Sequence, residues 1–523
     1  MTFYLQLYAN KLNFIIWAIF FAIFIPLFSL AFFFSIPAED AVILYEYAKN
    51  LANTGVITYG GSATPIEGAT DFLWMVVIAC FKTIGINEFA TALTINFFGL
   101  VVIGSLFNQA KEKVIVGLAI LLTPFLYASL YGFSAIFFSA CYLITLKLLF
   151  DKSEHLYKSL LILCLVRPDG VVWGAGCVLL RALQSENSEQ LKLEIKSCAA
   201  WLVAPASFYF MWRYWYFAEL LPLPFVVKAS PARDLLFFYK ISLINSVFVV
   251  LAPILFCLIA FSQNRKEVFE FIILLVLPIV FYSAMSLEQN IGNRFMAPLF
   301  FAGLYLVLRK YGLRALILFV SISVTLQLKT AVSTAAEVAN SSRETIYYLA
   351  QDLRSLYGRM LVTEAGRLTY YSNWFSEDSW GLNTARYAHR LIKQDDVKAG
   401  YYDLIVAHCD LALLSVGSDL EHDETRTWTN QCKTLVSYIK QSNYEIFLVP
   451  FVNDDPTVKQ RINTLLDRQD GNSKDRVTCK RYDIYAVSTQ YEQLAELKHL
   501  LSKHQGIPYD VKLNTTGDSV CFK

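Results

Sequence analysis

The feature that most constrains this chain is a series of long apolar runs without a charged residue. The first run, Leu12 to Ser35, extends over 24 residues. This length is enough for a helix to cross a bilayer and exceeds the roughly 7–15 apolar residues of a cleaved signal peptide. We therefore predict a retained first membrane span. Because 56% of the residues are hydrophobic and the mean hydropathy is +0.44, a soluble globular protein is excluded.

Basic residues cluster in every second loop between the later apolar runs. Lys111 with Lys113 and Arg309 with Lys310 are examples, and the positive-inside rule assigns such loops and the N-terminus to the cytoplasm. Counting residues 71–86 as a span would break this alternation, so we expect that stretch to lie along the outer membrane surface. The later runs cover residues 91–108, 114–130, 133–150, 159–182, 197–212, 241–261, 268–286, 295–308 and 315–330.

The composition becomes polar after residue 330, which predicts a transmembrane domain at 1–330 and a soluble domain at 331–523. With residues 36–90 and 213–240, the soluble domain would lie on the outer face. Short apolar runs between helical stretches predict an α/β domain, with strands around Leu361, Ile405, Phe447 and Tyr485. An even number of Cys in this region, namely Cys409, Cys432, Cys479 and Cys521, permits two disulfides.

Charged residues interrupt the apolar run 159–182 at Arg167, Pro168 and Asp169. A lipid-facing helix does not tolerate such a break, so we predict a re-entrant or short helical pair that faces a cavity. Arg167 and Asp169 either contact a substrate there or form a paired structural strut. Both interpretations remain open.

An acidic pair, Glu39 and Asp40, follows the first span and precedes an expected helix. Adjacent carboxylates raise one another's pKa or hold a cation between them, and a carboxylate of this kind can accept a hydroxyl proton. Acids also occur at helix N-termini for structural reasons, and the two interpretations carry equal weight. No His shows a zinc-ligand spacing, so no structural metal is expected, although a divalent cation at Glu39 and Asp40 remains an alternative.

Several segments resemble motifs of the GT-C glycosyltransferases that use polyprenyl-phosphate sugars, and in particular the terminal arabinofuranosyltransferases of mycobacterial cell walls. The resemblance covers most of the chain. It departs at the acidic pair, where the family has two Asp, and at Tyr131 to Ser134, where the family has Ser-Gly-x-Glu. The similar segments are Glu39-Asp40, Glu67 to Trp74, Arg167 to Gly170, Arg213 to Lys228, Asn293 to Pro298, Glu364 to Gly366, Tyr370-Tyr371 and Asp378 to Leu382.

This resemblance implies a GT-C fold with about ten or eleven membrane helices and a C-terminal exoplasmic α/β domain. It implies transfer of a sugar, arabinofuranose or a similar pentose, from a polyprenyl-phosphate donor to a glycan or protein, with inversion at the anomeric carbon. Asp40 would be the base, and Glu39 would orient the acceptor or tune Asp40. The implied location is a bacterial cytoplasmic (inner) membrane, with the C-terminal domain in the periplasm or outside the cell.

The departing phosphate would need cations, and Lys228, Arg294 and Arg213 are the candidates. The alternative role for each of these side chains is to snorkel to lipid headgroups. Among the three, this alternative is favoured only for Arg213. Glu67 and Tyr216 join Arg167 and Asp169 as candidate cavity or substrate residues. The expected partners are the lipid-linked donor, the acceptor and membrane lipid. Nucleic acid is not expected, because 45 basic and 43 acidic residues give a net charge of only +2.

Two other function classes remain open from the sequence. A transporter or lipid flippase would show inverted repeats and broken helices in both halves, and only the break at Arg167 fits that pattern. A non-catalytic envelope scaffold would explain the outer domain but not the acidic pair or Lys228.

Overall fold

The computed structural model describes residues 2–228, 242–262, 264–285, 287, 289–415, 426–451, 478–509, 515–516 and 519–522. Helices dominate the first two thirds of the chain. In chain order they are α1 Thr2–Phe34, α2 Glu39–Thr54, α3 Phe72–Thr83, α4 Glu88–Ser105, α5 Ala110–Leu121, α6 Pro124–Leu130, α7 Ala135–Phe150, α8 Leu156–Val166, α9 Gly170–Leu183, α10 Ser188–Cys198, α11 Ala204–Phe217, α12 Leu223–Lys228, α13 Val249–Phe261, α14 Arg265–Ser283, α15 Ala297–Asn340, α16 Thr345–Asp352, α17 Arg367–Ser372, α18 Ala385–Ala388, α19 Gln394–Gly400, α20 Ala412–Ser415, α21 Trp428–Gln441 and α22 Leu494–Lys503.

Strands are confined to the C-terminal third among these residues. They are β1 Arg359–Val362, β2 Phe375–Asp378, β3 Leu404–Ala407, β4 Tyr444–Pro450, β5 Thr478–Ser488, β6 Ile507–Pro508, β7 Thr515–Thr516 and β8 Ser519–Phe522.

Four described helical stretches are long and apolar enough to cross a membrane: Lys11–Phe34, Glu88–Ser105, Leu243–Phe261 and Ile291–Arg343. The pair α5 and α6, bent by 66°, adds a fifth if it forms one span. The protein is therefore a multi-pass membrane protein. The count is lower than the ten or eleven predicted because α3, α7, α8 and α9 have only 10–17 residues, and a helix needs about 20 to span a bilayer.

The longest stretch, Ile291–Arg343, has a break in the middle. Gly312 adopts φ 78° and ψ −167°, a conformation that glycine reaches without a steric penalty. This break separates the two apolar runs, 295–308 and 315–330, that the sequence distinguishes.

The predicted interruption at Arg167 is confirmed. Helix α8 ends at Val166 and α9 begins at Gly170, and Arg167 itself is extended, with φ −148° and ψ 142°. Pro168 explains the break, because a proline disfavours the helical conformation of the preceding residue.

The chain divides into two compact units that differ from the predicted domains. Unit 1 contains residues 1–37, 71–215 and 232–339, and unit 2 contains residues 38–70, 216–231 and 340–523. Parts of all three segments assigned to the outer face thus belong to unit 2. The sequence, in contrast, predicts a boundary near residue 330 and assigns the first outer loop, 36–90, to the transmembrane domain.

The sheet of unit 2 has the order β2-β1-β3-β5-β4-β6, with β8 attached to β5 and β7 to β8. Strands β1, β2 and β3 run parallel, and β5 runs antiparallel to β3, β4 and β8. The four predicted strands are confirmed as β1, β3, β4 and β5. Their apolar side chains pack against α19 and α21 in a core that includes Leu361, Ile405 and Val436.

A disulfide joins Cys409 to Cys432 and fixes the start of α21 next to the end of β3. The backbone register of β5 and β8 pairs Cys479 with Cys521.

Candidate active site

Residues 38–70 of the first outer loop belong to unit 2 and are hydrogen bonded to its C-terminal region. Ser376 N–H in the edge strand β2 donates to Gly60 O (2.9 Å). The buried hydroxyl of Tyr59 donates to Ala365 O (2.6 Å), and that of Tyr47 donates to Asn383 Oδ1 (3.1 Å). These contacts hold α2, which carries the acidic pair, against the C-terminal region.

The acidic pair forms the first turn of α2. Ala38 precedes it in an extended conformation, and its side chain cannot cap the helix. Two carboxylates at this position interact favourably with the positive end of the helix dipole. Both side chains are half-buried. Stabilisation of the start of α2 therefore explains at least part of their role.

Glu39 binds the start of a second helix, α17. Its Oε1 accepts hydrogen bonds from the backbone N–H groups of Gly366 (2.6 Å) and Arg367 (3.0 Å). A Cβ on residue 366 would lie 2.1 Å from Glu39 O, so only glycine permits this approach. Burial raises the pKa of the Glu39 carboxyl, while the charge of Arg367 and the two amide hydrogen bonds act in the opposite direction.

Arg367 connects Glu39 to a third segment of unit 2. Its guanidinium forms an ion pair with Glu344, and its Nε lies 4.0 Å from Glu39 Oε2. With this side chain 3% exposed, the charge is buried and is compensated by two carboxylates. Glu39 is therefore held in one orientation, which also fixes the backbone of Asp40. The roles of Asp40 as base and of the pair as cation ligands stay predictions.

A second titratable cluster lies where the parallel strands β1 and β3 end. Glu364 follows β1, His408 follows β3, and Asp483 lies beside them on β5. The His408 Nδ1 is 2.5 Å from Asp483 Oδ1 and 3.9 Å from Glu364 Oε1, and Arg481 contacts its other nitrogen. Ligands of open α/β sheets bind at the carboxyl ends of parallel strands, which makes this cluster a functional candidate.

The charged groups of this cluster shift one another's pKa values. Burial raises the pKa of Glu364 to about 8, with further repulsion from Asp483 and Glu39, against the attraction of His408 and Arg481. For His408, burial disfavours the charged imidazole, but the hydrogen bond and charge of Asp483 outweigh it and raise the pKa. With a pKa of about 8, we expect the Glu364 carboxyl to retain its proton at neutral pH. It interacts electrostatically with Glu39.

The middle outer segment joins the first one through main-chain contacts. Leu223 N–H donates to the backbone oxygen of Glu67 (3.1 Å), and the Tyr216 hydroxyl accepts from Ile57 N–H (3.1 Å). Leu223 and Val227 pack on Ala388, which positions the short helix α12 and Lys228 in its last turn. Unit 2 thus contains Glu39, Asp40, Glu67, Tyr216 and Lys228.

In unit 1, Arg167 and Asp169 form a buried bidentate pair. Arg167 Nε lies 3.1 Å from Asp169 Oδ1 and its Nη2 lies 2.7 Å from Oδ2. The Tyr282 hydroxyl donates to the same carboxylate, and Trp173 Nε1 donates to Tyr282 (3.2 Å). These contacts support the paired-strut interpretation, because the carboxylate is satisfied by groups of the chain itself.

Arg294 lies close to this pair within unit 1. Its guanidinium stacks on Phe133 (3.8 Å) and Phe295 (5.0 Å), and the guanidinium of Arg167 lies 5.1 Å from the same Phe295 ring. Asp71 interacts electrostatically with both arginines and accepts a hydrogen bond from Ser134 Oγ (2.9 Å). Arg213, in contrast, lies on α11 over Phe210 (5.3 Å).

Several of these residues were missed by sequence reasoning. Asp71 could have been identified, because it belongs to the Glu67 to Trp74 segment that resembles the family, and Ser134 occupies the place of that family's Glu. Arg367 directly follows the Glu364 to Gly366 motif. His408 and Asp483 had no signal, since strand pairing brings them together across 75 residues of sequence.

The structure resembles two crystal structures of ArnT from Cupriavidus metallidurans. The match to ArnT in the apo state has a TM-score of 0.52 and 14% identity, and covers 79% of this chain and 96% of that chain. The match to ArnT bound to undecaprenyl phosphate has a TM-score of 0.51 and 12% identity, with the same coverage. No protein-family profile and no curated protein matches the sequence. The chain thus shares its fold with ArnT, and this is the GT-C fold.

Proposed function

We propose that this protein is a membrane glycosyltransferase that takes its sugar from a polyprenyl-phosphate donor. The observation that carries this proposal is the fold shared with ArnT, one of whose structures holds undecaprenyl phosphate, over 96% of the ArnT chain. The acidic pair that the family resemblance assigns to catalysis lies in the unit that collects the outer-loop segments, in agreement with this function.

In the proposed reaction, an acceptor hydroxyl attacks the anomeric carbon of the donor sugar. A new carbon–oxygen bond forms, the bond to the phosphate breaks, and the electron pair leaves with polyprenyl phosphate. Asp40 takes the hydroxyl proton. Attack opposite the leaving group inverts the anomeric configuration.

We assign Glu39 to positioning rather than to proton transfer. Its Oε1 already accepts from Gly366 and Arg367, which hold the first turn of α2 in place. The adjacent Asp40 therefore has a fixed backbone from which to act on the acceptor. A divalent cation at the pair is a separate proposal and would require Glu39 to exchange these contacts.

Negative charge develops on the departing phosphate, and a fixed cation lowers the energy of that state. Lys228 and Arg294 are the proposed contacts, with Arg213 a weaker one. Glu67 and Tyr216 of unit 2 are proposed as cavity or substrate residues, as are Arg167 and Asp169 of unit 1. The proposed sugar is arabinofuranose or a similar pentose, and the acceptor is a glycan or protein on the outer face of a bacterial cytoplasmic membrane.

The test is release of polyprenyl phosphate by the full-length protein in lipid nanodiscs, supplied with a panel of polyprenyl-phosphate pentoses and hexoses. We expect turnover with the wild type and a loss of about 10²–10⁴-fold in Asp40→Asn, as is typical for loss of a general base. Asp151→Asn serves as the matched control, because Asp151 lies at the end of α7 and contacts only Lys147 among the described ion pairs.

Three results would count against the proposal. Wild type that binds or moves the lipids without cleaving any of them would indicate a transporter or flippase. Equal turnover in Asp40→Asn and wild type would remove Asp40 as the base. A wild type that neither binds nor cleaves the lipids would leave the scaffold as the remaining interpretation.

A further inference from the structure

Two helices of unit 1 are preceded by residues of types that usually cap a helix. Asp71 precedes α3 and Ser134 precedes α7, and the side-chain oxygens of Asp and Ser often accept from the first backbone N–H groups of a helix. Neither side chain makes such a bond here. Instead, Ser134 Oγ donates to Asp71 Oδ2 (2.9 Å), across 63 residues of sequence. The capping role therefore does not explain this pair.

The segment that carries Ser134 also contacts Arg294. The ring of Phe133 lies 3.8 Å from the Arg294 guanidinium. The backbone oxygen of Phe133 accepts a hydrogen bond from the buried side-chain amide of Asn96 (2.9 Å), which holds this turn in place. Two successive residues thus contact Arg294 and Asp71.

The charges around this turn balance one another. Arg167 and Arg294 are 4% and 8% exposed, and a buried guanidinium requires opposite charge nearby. Asp169 forms the bidentate pair with Arg167. Asp71 attracts both arginines and supplies a second negative charge. Two cations and two carboxylates therefore form one group without net charge.

The sequence departs from the family that it resembles at this same turn. The similar motif ends in Glu, whereas this chain has Ser134, whose hydroxyl is neutral. Asp71, at the start of α3, brings a carboxylate into contact with that hydroxyl. A negative charge that the turn itself lacks is thus contributed by another segment of the chain.

We propose that Asp71 is a positioning residue that orients the Arg294 guanidinium towards the donor phosphate, in place of a carboxylate on residue 134. This inference rests on the proposed function, in which Arg294 contacts that phosphate. Phe133 supports one face of the guanidinium and Asp71 attracts it, so the guanidinium is oriented before the donor binds. A cation that is oriented in advance stabilises the charge of the departing phosphate without reorganisation.

Binding of a phosphate probe to the full-length protein in nanodiscs tests this orientation without turnover. The probe is farnesyl phosphate, titrated calorimetrically with empty nanodiscs as the blank. Asp71→Asn keeps the shape of the side chain but loses its charge, and we expect it to bind the probe about tenfold more weakly than the wild type. A carboxylate that only lay near the phosphate would repel it, and Asp71→Asn would then bind the probe more tightly. Asp151→Asn, at the end of α7 and paired with Lys147, is the matched control and should bind like the wild type.

A relocated carboxylate tests the replacement itself. We expect Asp71→Asn combined with Ser134→Glu to recover most of the lost affinity, because the charge returns from the other partner of the hydrogen bond. Asp71→Asn combined with Ser134→Gln adds a similar volume without charge and should stay at the level of Asp71→Asn. Arg294→Gln should also weaken binding, and Asp71→Asn should add little to that loss, since both residues act through one contact.

Three outcomes would overturn the inference: unchanged or tighter binding in Asp71→Asn, equal recovery with Glu and Gln at position 134, and additive losses in the Arg294 double variant. Unfolding temperatures in the same nanodiscs separate loss of binding from loss of the fold. Should Asp71→Asn not fold, Ser134→Ala removes only the hydrogen-bond donor, and equal binding by this variant and the wild type would contradict the inference.

Release of polyprenyl phosphate, measured on the same samples, separates this test from that of the proposed function. A wild type that shows the expected binding pattern but cleaves no donor would contradict glycosyl transfer and leave the oriented phosphate contact in place. A wild type that cleaves the donor, with Asp71→Asn equal to it in probe binding and in KM for the donor, would contradict the role of Asp71 alone.

Discussion

Burial and two neighbouring carboxylates raise the pKa of Glu364, so we expect this carboxyl to be protonated at neutral pH. Burial, Asp483 and Glu39 raise the pKa of its carboxyl from 4.5 to about 8, so the folded chain binds this proton more tightly than the unfolded chain. Its contribution to stability is therefore complete below pH 4.5 and is lost as the pH rises to about 8. We expect Glu364→Gln to remove this loss and to raise the unfolding temperature near pH 8 by at least roughly 2–4 °C, since each unit by which the pKa differs between the folded and unfolded chain is worth about 1.4 kcal/mol.

Thermal unfolding of both proteins in nanodiscs at a series of pH values would measure this difference. The variant should show the shallower decline of unfolding temperature with pH. Glu189→Gln, a change at a side chain that is 78% exposed, should follow the wild type. Parallel curves for Glu364→Gln and wild type would mean that the carboxyl is ionised at neutral pH.

At the level of elements, the contact between α2 and α17 depends on the missing side chain of Gly366. An Ala at this position would place Cβ 2.1 Å from Glu39 O and 2.7 Å from Glu39 Oε1, which forces the two helix starts apart. We expect Gly366→Ala to destabilise the protein by about 1–3 kcal/mol and to reduce turnover of the polyprenyl-phosphate sugar. Gly117→Ala is the control, since a Cβ there meets nothing within 4 Å. Normal turnover in Gly366→Ala would show that the orientation of Glu39 does not matter for the reaction.

The elements also show where sequence reasoning works. Strand β3 consists of four buried apolar residues between polar turns, and the Arg167 to Asp169 break carries both a proline and charges, so each has a local signal. Strand β2, Phe375–Asp378, was missed because it is short, alternates and depends on pairing with β1. The binding of Glu39 to Gly366, 327 residues away in sequence, has no local signal at all. Motif resemblance selected both residues, but only the fold reveals that they touch.

For the molecule as a whole, the alternation of basic loops predicts which parts face outwards. The three segments that it assigns to the outer face contribute to unit 2, and the loop with Arg181, Lys192 and Lys196 would face the cytoplasm. Because soluble domains do not cross the bilayer after assembly, all of unit 2 should be accessible from one side only.

Cysteine labelling of intact cells tests this orientation. In a background with the free cysteines replaced by Ser, we expect Asn53→Cys and Ala495→Cys, both at exposed positions of unit 2, to react with a membrane-impermeant maleimide. Ser188→Cys, exposed at the start of α10, should react only after the membrane is permeabilised. The reverse pattern would place the acidic pair in the cytoplasm. A polyprenyl-phosphate donor presented at the outer face could not reach it there, and the charge distribution of the loops would have to be explained by something other than topology.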